Sequence, residues 1–102
     1  MKRFKRLLPA ATLFAAIVLL GCDPSQGVTF VNRTGEAITV YEAGDIIGMI
    51  QPNEQKTFSF GEFDGQKLFE ARDANGFVLL SERLSWQNLR DRDWRIVVEE
   101  AR

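Results

Sequence analysis

From residue 28 onward the apolar positions fall into short runs, several alternating with polar ones, and Gly, Asn, Asp or Pro interrupts them about every eight to twelve residues. A period of two sets one face of an extended chain against a core and the other toward water, so the pattern predicts β-strands. The first covers 28–31. Asn32-Arg33-Thr34-Gly35 turns the chain into a second at 37–42, where Ile38 and Val40 alternate with Thr39 and Tyr41, and the two are expected to pair as a hairpin. Ala43-Gly44-Asp45 leads into a third strand at 46–50, and Pro52 presets the backbone of the tight turn Pro52-Asn53-Glu54. A fourth at 56–60 places Phe58 and Phe60 on one face. A fifth at 67–73 turns Phe69 and Ala71 inward, and Asn75-Gly76, which tolerates positive φ, returns the chain as a sixth at 77–80.

The rhythm changes at 85–91. Ser85 is a good helix N-cap, and Trp86, Leu89 and Arg90 sit at helical spacing, which predicts one or two helical turns. A seventh strand at 94–99 closes the domain, leaving 100–102 as a tail that frays. The expected fold is therefore all-β: a seven-stranded two-sheet sandwich, immunoglobulin-like or transthyretin-like, with one short helical turn. Its core is expected to draw on Phe30, Phe58, Phe60, Phe69, Phe77, Trp86 and Trp94, each able to remove roughly 150 to 250 Å² from water.

The first 22 residues follow another plan. Lys2, Arg3, Lys5 and Arg6 precede an apolar run of 14 positions, Leu7 to Leu20, interrupted by Pro9, and Leu19-Leu20-Gly21-Cys22 ends it. A basic stretch followed by a short apolar segment is the layout of an export signal, and the run is shorter than the roughly 20 residues a stable membrane span needs. The small Gly21 before Cys22 resembles the lipobox of bacterial lipoproteins. That resemblance implies a signal helix over 1–21, cleavage between Gly21 and Cys22, and palmitate-type acyl chains on Cys22. It divides the chain into the signal (1–21), a lipidated tether (22–27), the sandwich (28–99) and the tail (100–102). Asp23, directly after the cysteine, resembles the signal that retains some enteric lipoproteins in the inner membrane.

Composition narrows the chemistry. The 102 residues contain no histidine and one cysteine, which removes Ser-His-Asp and Cys-His catalysis, most zinc sites and an internal disulfide. From Cys22 onward nine Lys and Arg face 14 Asp and Glu, so that part carries a side-chain charge of −5 and offers no electrostatic footprint for nucleic acid. The carboxylate pairs Glu62/Asp64, Asp91/Asp93 and Glu99/Glu100 are neighbours in sequence, whereas glycosidase-like chemistry needs two carboxylates facing one another across a cleft. Asp64, Asp73 and Asn75 fall short of the six or more oxygens calcium collects. Arg90, Arg92 and Arg95 form a small basic cluster, for which Asp91 and Asp93 are the nearest expected partners. Asn32-Arg33-Thr34 matches a glycosylation sequon, which in a bacterial chain reads only as turn chemistry.

A second resemblance runs through Val28-Thr29-Phe30-Val31-Asn32-Arg33-Thr34, Ile50-Gln51-Pro52-Asn53-Glu54 and Phe69-Glu70-Ala71-Arg72-Asp73-Ala74 with Leu79-Leu80. In order and spacing this succession is similar to the β domain of the von Hippel-Lindau tumour suppressor family, which implies a seven-stranded sandwich closed by a helical piece. Aligned through Arg72-Asp73-Ala74, the sequence has Lys67, Phe69, Phe63 and Ile47 where that family's hydroxyproline pocket uses histidine, tryptophan, serine and tyrosine. The pocket's activity is therefore not implied.

These readings lead to an expectation of a membrane-anchored envelope lipoprotein, not an enzyme and without a cofactor, whose domain lies on the extracytoplasmic side of a bacterial cell membrane. Its sandwich is expected to be a non-catalytic binding or structural module for an envelope protein. The alternative is a lipoprotein that captures a small molecule or glycan, and Trp86, Arg90, Arg92 and Trp94 are the candidate contacts in either case. Phe69→Ala and Trp94→Ala are each expected to cost about 3 to 5 kcal/mol. A loss below about 1 kcal/mol for both in a denaturant titration would overturn the core assignment.

Overall fold

The computed structural model describes residues 25–100. The signal segment 1–21, Gly21, Cys22 and Asp23 lie outside the described residues. Seven strands and one helix follow in order: β1 (Ser25–Arg33), β2 (Ile38–Glu42), β3 (Asp45–Ile50), β4 (Gln55–Gly61), β5 (Gln66–Arg72), β6 (Val78–Ser85), α1 (Trp86–Asp91) and β7 (Arg95–Glu99). They form a two-sheet sandwich, one sheet ordered β4-β1-β7 and the other β3-β2-β5-β6. Every pair is antiparallel except β1 with β7, which run parallel with Thr29 opposite Arg95.

Period-two alternation fills the space between the sheets. Val28 and Phe30 from β1, Ile38 and Val40 from β2, Phe69 and Ala71 from β5, and Ile96 and Val98 from β7 all point inward and are buried. Phe30 meets Phe58 edge-on at 5.8 Å between centroids, and Phe69 meets Phe60 at 5.7 Å. This joins the strands by preferred aromatic geometry as well as by area. Gly48 on β3 is needed where the two sheet edges close. A β-carbon there would lie 2.7 Å from the Phe58 ring, so only glycine lets that ring rest on β3.

Several expectations change. β1 and β2 are not a hairpin, because they belong to different sheets; the chain crosses the core edge between them. β1 begins at Ser25 instead of residue 28: Ser25, Gln26 and Gly27, expected as tether, pair with Gly61, Phe60 and Ser59. β6 continues to Ser85 where the alternation ended at 80, because its later residues pair with β5 down to Gln66 opposite Ser85. Phe77 is not in the core. It stands in the β5–β6 connection, 69% exposed, with its N–H given to the Asp73 carboxylate, while Leu79 and Leu80 pack against the core instead. The turns at Ala43-Gly44 and Asn75-Gly76 join true hairpins, with φ of 52° at Ala43 and 88° at both glycines.

Asn32, assigned by sequence to a turn, is wholly buried in β1. Its Nδ2 donates to the carbonyls of Glu36, Ile50 and Gln51 at 2.9, 3.0 and 3.0 Å. Its Oδ1 accepts from the backbone N–H of Thr34 at 2.9 Å and from the Thr34 hydroxyl at 2.6 Å. Removing this side chain takes a donor from carbonyls of two other segments, the Ile50 bond being fully buried and those to Glu36 and Gln51 partly so. Asn32→Ala is therefore expected to cost about 2 to 4 kcal/mol in a urea titration. Phe77→Ser, at an exposed position, should stay within about 0.5 kcal/mol, and equal losses for the two would contradict the burial described here.

Candidate functional site

The sandwich has two distinct ends. At the first, β1 starts at Ser25, β4 finishes opposite it at Gly61, residues 62–65 cross to β5, and β6 hands over to α1 at Ser85. At the other end lie the Thr34–Glu36 crossing, the Asn75-Gly76 turn and Glu100. The four candidate contacts gather at the first end.

A capping box starts α1 there: the Ser85 hydroxyl accepts from the Asn88 N–H at 3.0 Å, and the Asn88 side chain accepts from the Ser85 N–H at 2.9 Å. Six residues of helix and a three-residue turn then bring the chain back. Asp93 and Trp94 both take positive φ, 56° and 61°, a conformation an aromatic residue rarely adopts. Backbone bonds fix it: the Trp94 N–H donates to the Leu89 carbonyl at 2.8 Å, and the Trp94 carbonyl accepts from Thr29 at 2.8 Å. The reversal brings Trp86 and Trp94 edge to face at 4.9 Å, and Phe63 adds a third ring at 5.5 Å from Trp86. All three are half-buried and pack on the core. Trp94 thus belongs at the lower end of the truncation cost expected above.

Cations surround this aromatic end. Lys67 Nζ lies 5.0 Å from the Phe63 ring centre and 3.2 Å from Glu42, and the Arg90 guanidinium lies 6.0 Å from the Trp94 ring centre. Arg92 does not pair with Asp91 or Asp93 as expected. It grips Glu82 on β6 through two bonds of 2.9 and 2.8 Å, because the β6–β7 crossing carries it over that strand, and Asp91 instead accepts from Gln87. The arrangement leaves three half-buried rings among charges that face solvent. Phe63 and Lys67 belong to it although sequence reasoning did not place them there, since only the sheet register reveals that residues 62–67 share an end with α1.

The opposite end holds a shallow hollow of about 380 Å³ lined by Thr34, Glu36, Asp73, Leu79 and Glu100. Its carboxylates are engaged with the surrounding backbone: Glu36 accepts from Ala74, Asp73 from Asn75 and Phe77, and Glu100 from Gly35. Glu100, expected to fray, instead fastens the Gly35 crossing. Asp64 lies at the first end and Asp73 at the second, so the two are not brought together. Among the described residues no cluster of three or more acidic or cysteine side chains is arranged to hold a metal ion. The aligned pocket positions make no common site either: Phe69 is core, Ile47 packs against it from β3, and Phe63 and Lys67 belong to the aromatic end.

Comparison with protein-family models, with curated proteins and with solved structures finds no match to this chain.

The Glu82–Arg92 pair is coupled electrostatically. The hydrogen bond from Arg92 lowers the Glu82 pKa below its ordinary value, partial burial works against that, and the Arg92 charge adds to the lowering. With the folded pKa below the unfolded one, the pair stabilises the fold above the ordinary carboxylate range and loses that contribution as pH falls through the folded value. Both side chains are about a third or more exposed, so the contribution at neutral pH should stay below about 1 kcal/mol. The stability difference between wild type and Glu82→Gln, measured by denaturation from neutral to acid pH, should vanish at the acid end. A difference independent of pH would exclude the ion pair as its source.

Proposed function

We propose that this chain is a bacterial envelope lipoprotein, anchored through acyl chains on Cys22, whose sandwich serves as a non-catalytic binding or structural module on the extracytoplasmic side of the membrane. The observation that carries the reading is the motif Leu19-Leu20-Gly21-Cys22 behind a basic, apolar leader. Physical chemistry supplies the purpose of such an anchor. Each buried methylene contributes about 0.8 kcal/mol, so two or three chains hold a domain at a bilayer without a spanning helix. Confinement to that surface raises the effective concentration toward membrane-bound partners, so a small interface suffices.

The sandwich supports a binding role through its surface. Four of the exposed large apolar side chains, Ile46, Met49, Phe77 and Val78, lie on β3 or at the start of β6. Met49 and Val78 share one row across the outer face of the four-stranded sheet with Thr39 and Arg72 between them. Arg72 lies over the Tyr41 ring at 4.5 Å and pairs with Glu70. A stacked arginine and tyrosine flanked by apolar side chains is the composition that protein interfaces favour. The alternative of small-molecule or glycan capture draws less support, because Trp86 and Trp94 pack on each other and on the core.

Intact mass of the protein purified from bacterial membranes tests the anchor. A species beginning at Cys22 and heavier by its acyl chains, replaced in Cys22→Ala by a protein without them, is the expected result. A lipid-free wild type beginning elsewhere would defeat the reading.

A further inference from the structure

We propose that the Phe63–Trp86–Trp94 end of the sandwich is the surface the domain turns toward a lipid bilayer of zwitterionic headgroups. This rests on the lipoprotein reading and adds an orientation to it. Chain length sets the first constraint. Only residues 23 and 24 separate Cys22 from Ser25, and three residue steps span about 11 Å at most. Acyl chains on Cys22 would therefore hold the start of β1 at the headgroups, with no tether long enough to let the domain turn over.

The sheet register then decides which side chains come along. Ser25 pairs with Gly61; from there residues 62–65 lead to Gln66, and Gln66 pairs with Ser85, the cap of α1. Phe63 and Trp86 therefore lie beside the chain start, and Trp94, whose carbonyl accepts from Thr29, packs on Trp86 a little further along β1. Its chemistry fits an interface between water and acyl chains, where half-buried tryptophans place an apolar body against lipid and a polar edge in water. The Lys67 ammonium and the Arg90 guanidinium lie 5.0 and 6.0 Å from the Phe63 and Trp94 ring centres, a pairing of cation and aromatic that suits such an interface.

The acids settle which headgroup suits this surface. Glu62, Asp64, Asp91 and Asp93 are exposed among the same residues. A strongly anionic bilayer would repel them, whereas a phosphatidylethanolamine surface offers phosphates to the arginines and ammonium groups to the carboxylates. The consequence reaches the other end. β1 spans nine residues, about 27 Å of extended chain, so Phe77, Val78 and Met49 stand well away from the membrane, free to meet a partner.

The chain contains two tryptophans, and both lie at the end in question, so emission excited selectively in tryptophan, apart from Tyr41, reports on that end alone. Protein carrying its lipid, established by intact mass, is reconstituted in vesicles of phosphatidylethanolamine and phosphatidylcholine, plain or brominated in the upper acyl chain. Tryptophan emission should be quenched in the brominated vesicles. A fluorophore on Asp64→Cys, at the same end, should also be quenched, and one on Asn75→Cys, at the opposite end, should not. Equal emission in plain and brominated vesicles, or equal quenching of the two labels, would overturn the orientation. Protein without lipid would instead defeat the anchor before reconstitution, so the two failures are distinguishable.

Discussion

One buried amide ties the two sheets together where the chain first passes between them. The Asn32 side chain sits on β1 in the three-stranded sheet, yet its donors reach the carbonyls of Glu36, just before β2, and of Ile50 and Gln51 at the end of β3. Both β2 and β3 belong to the other sheet. Two hydrogens serve three carbonyls, so at least one is shared. The backbone N–H of Asn32 meanwhile goes to Glu54, which leads into β4. A single residue thus registers β1 against the two segments that leave and re-enter its sheet. Apolar contacts between the sheets are non-directional and would tolerate sliding; this set of bonds does not. Its acceptor side fixes Thr34, whose single hydroxyl hydrogen lies between Asn32 Oδ1 and the Glu36 carbonyl, so the crossing itself is held in one shape.

The same residue shows how far the sequence could be read. Short apolar runs between turn residues, several of them alternating because burial on one face imposes it directly, identified all seven strands, and Ser85 marked the helix start because a hydroxyl before an apolar, helically spaced stretch is the local solution for unpaired N–H groups. Asn32 carried the opposite message. Asparagine favours turns when its side chain bonds to nearby backbone, and Asn32 does bond to Thr34, but its donors depend on Ile50 and Gln51, whose proximity only the folded topology creates. Phe77 misled for the complementary reason: hydrophobicity predicts burial on average, while a hairpin connection facing solvent overrides it.

The candidate site was legible in part. Trp86, Arg90, Arg92 and Trp94 were grouped by sequence proximity, and proximity survives folding when a short helix and tight turn connect the residues. Partner choice was not legible. Arg92 has acids on both sides in sequence, yet adjacent side chains on a turn diverge, and the crossing from β6 to β7 sets Arg92 above Glu82 instead. Ser25 to Gly27 read as linker because their composition is polar and small. They are strand because β4 supplies the ladder, and that extension shortens the tether on which the proposed orientation depends.

That short tether also bears on a weakness of the fold. β4, β6 and β7 carry charged residues, among them Lys56, Glu82, Arg83, Arg95 and Glu99, which discourage pairing with a further strand. β3 is the exception. Its one charge, Asp45, stands at its very start; Ile46 to Ile50 contains none, Ile46 and Met49 are 65% and 50% exposed, and only the irregularity near Tyr41 interrupts its pairing. Two copies related by a two-fold axis can join such edges only antiparallel, because an axis along the strands would set N–H opposite N–H. Antiparallel pairing points the two Ser25 ends in opposite directions. In the proposed orientation, with the strands running away from the bilayer, both ends must face one leaflet, so β3 cannot join β3 of a neighbour in the same membrane. The anchor would then do for this edge what charge does for the other three, and a β3 edge left apolar becomes compatible with high local concentration at a bilayer.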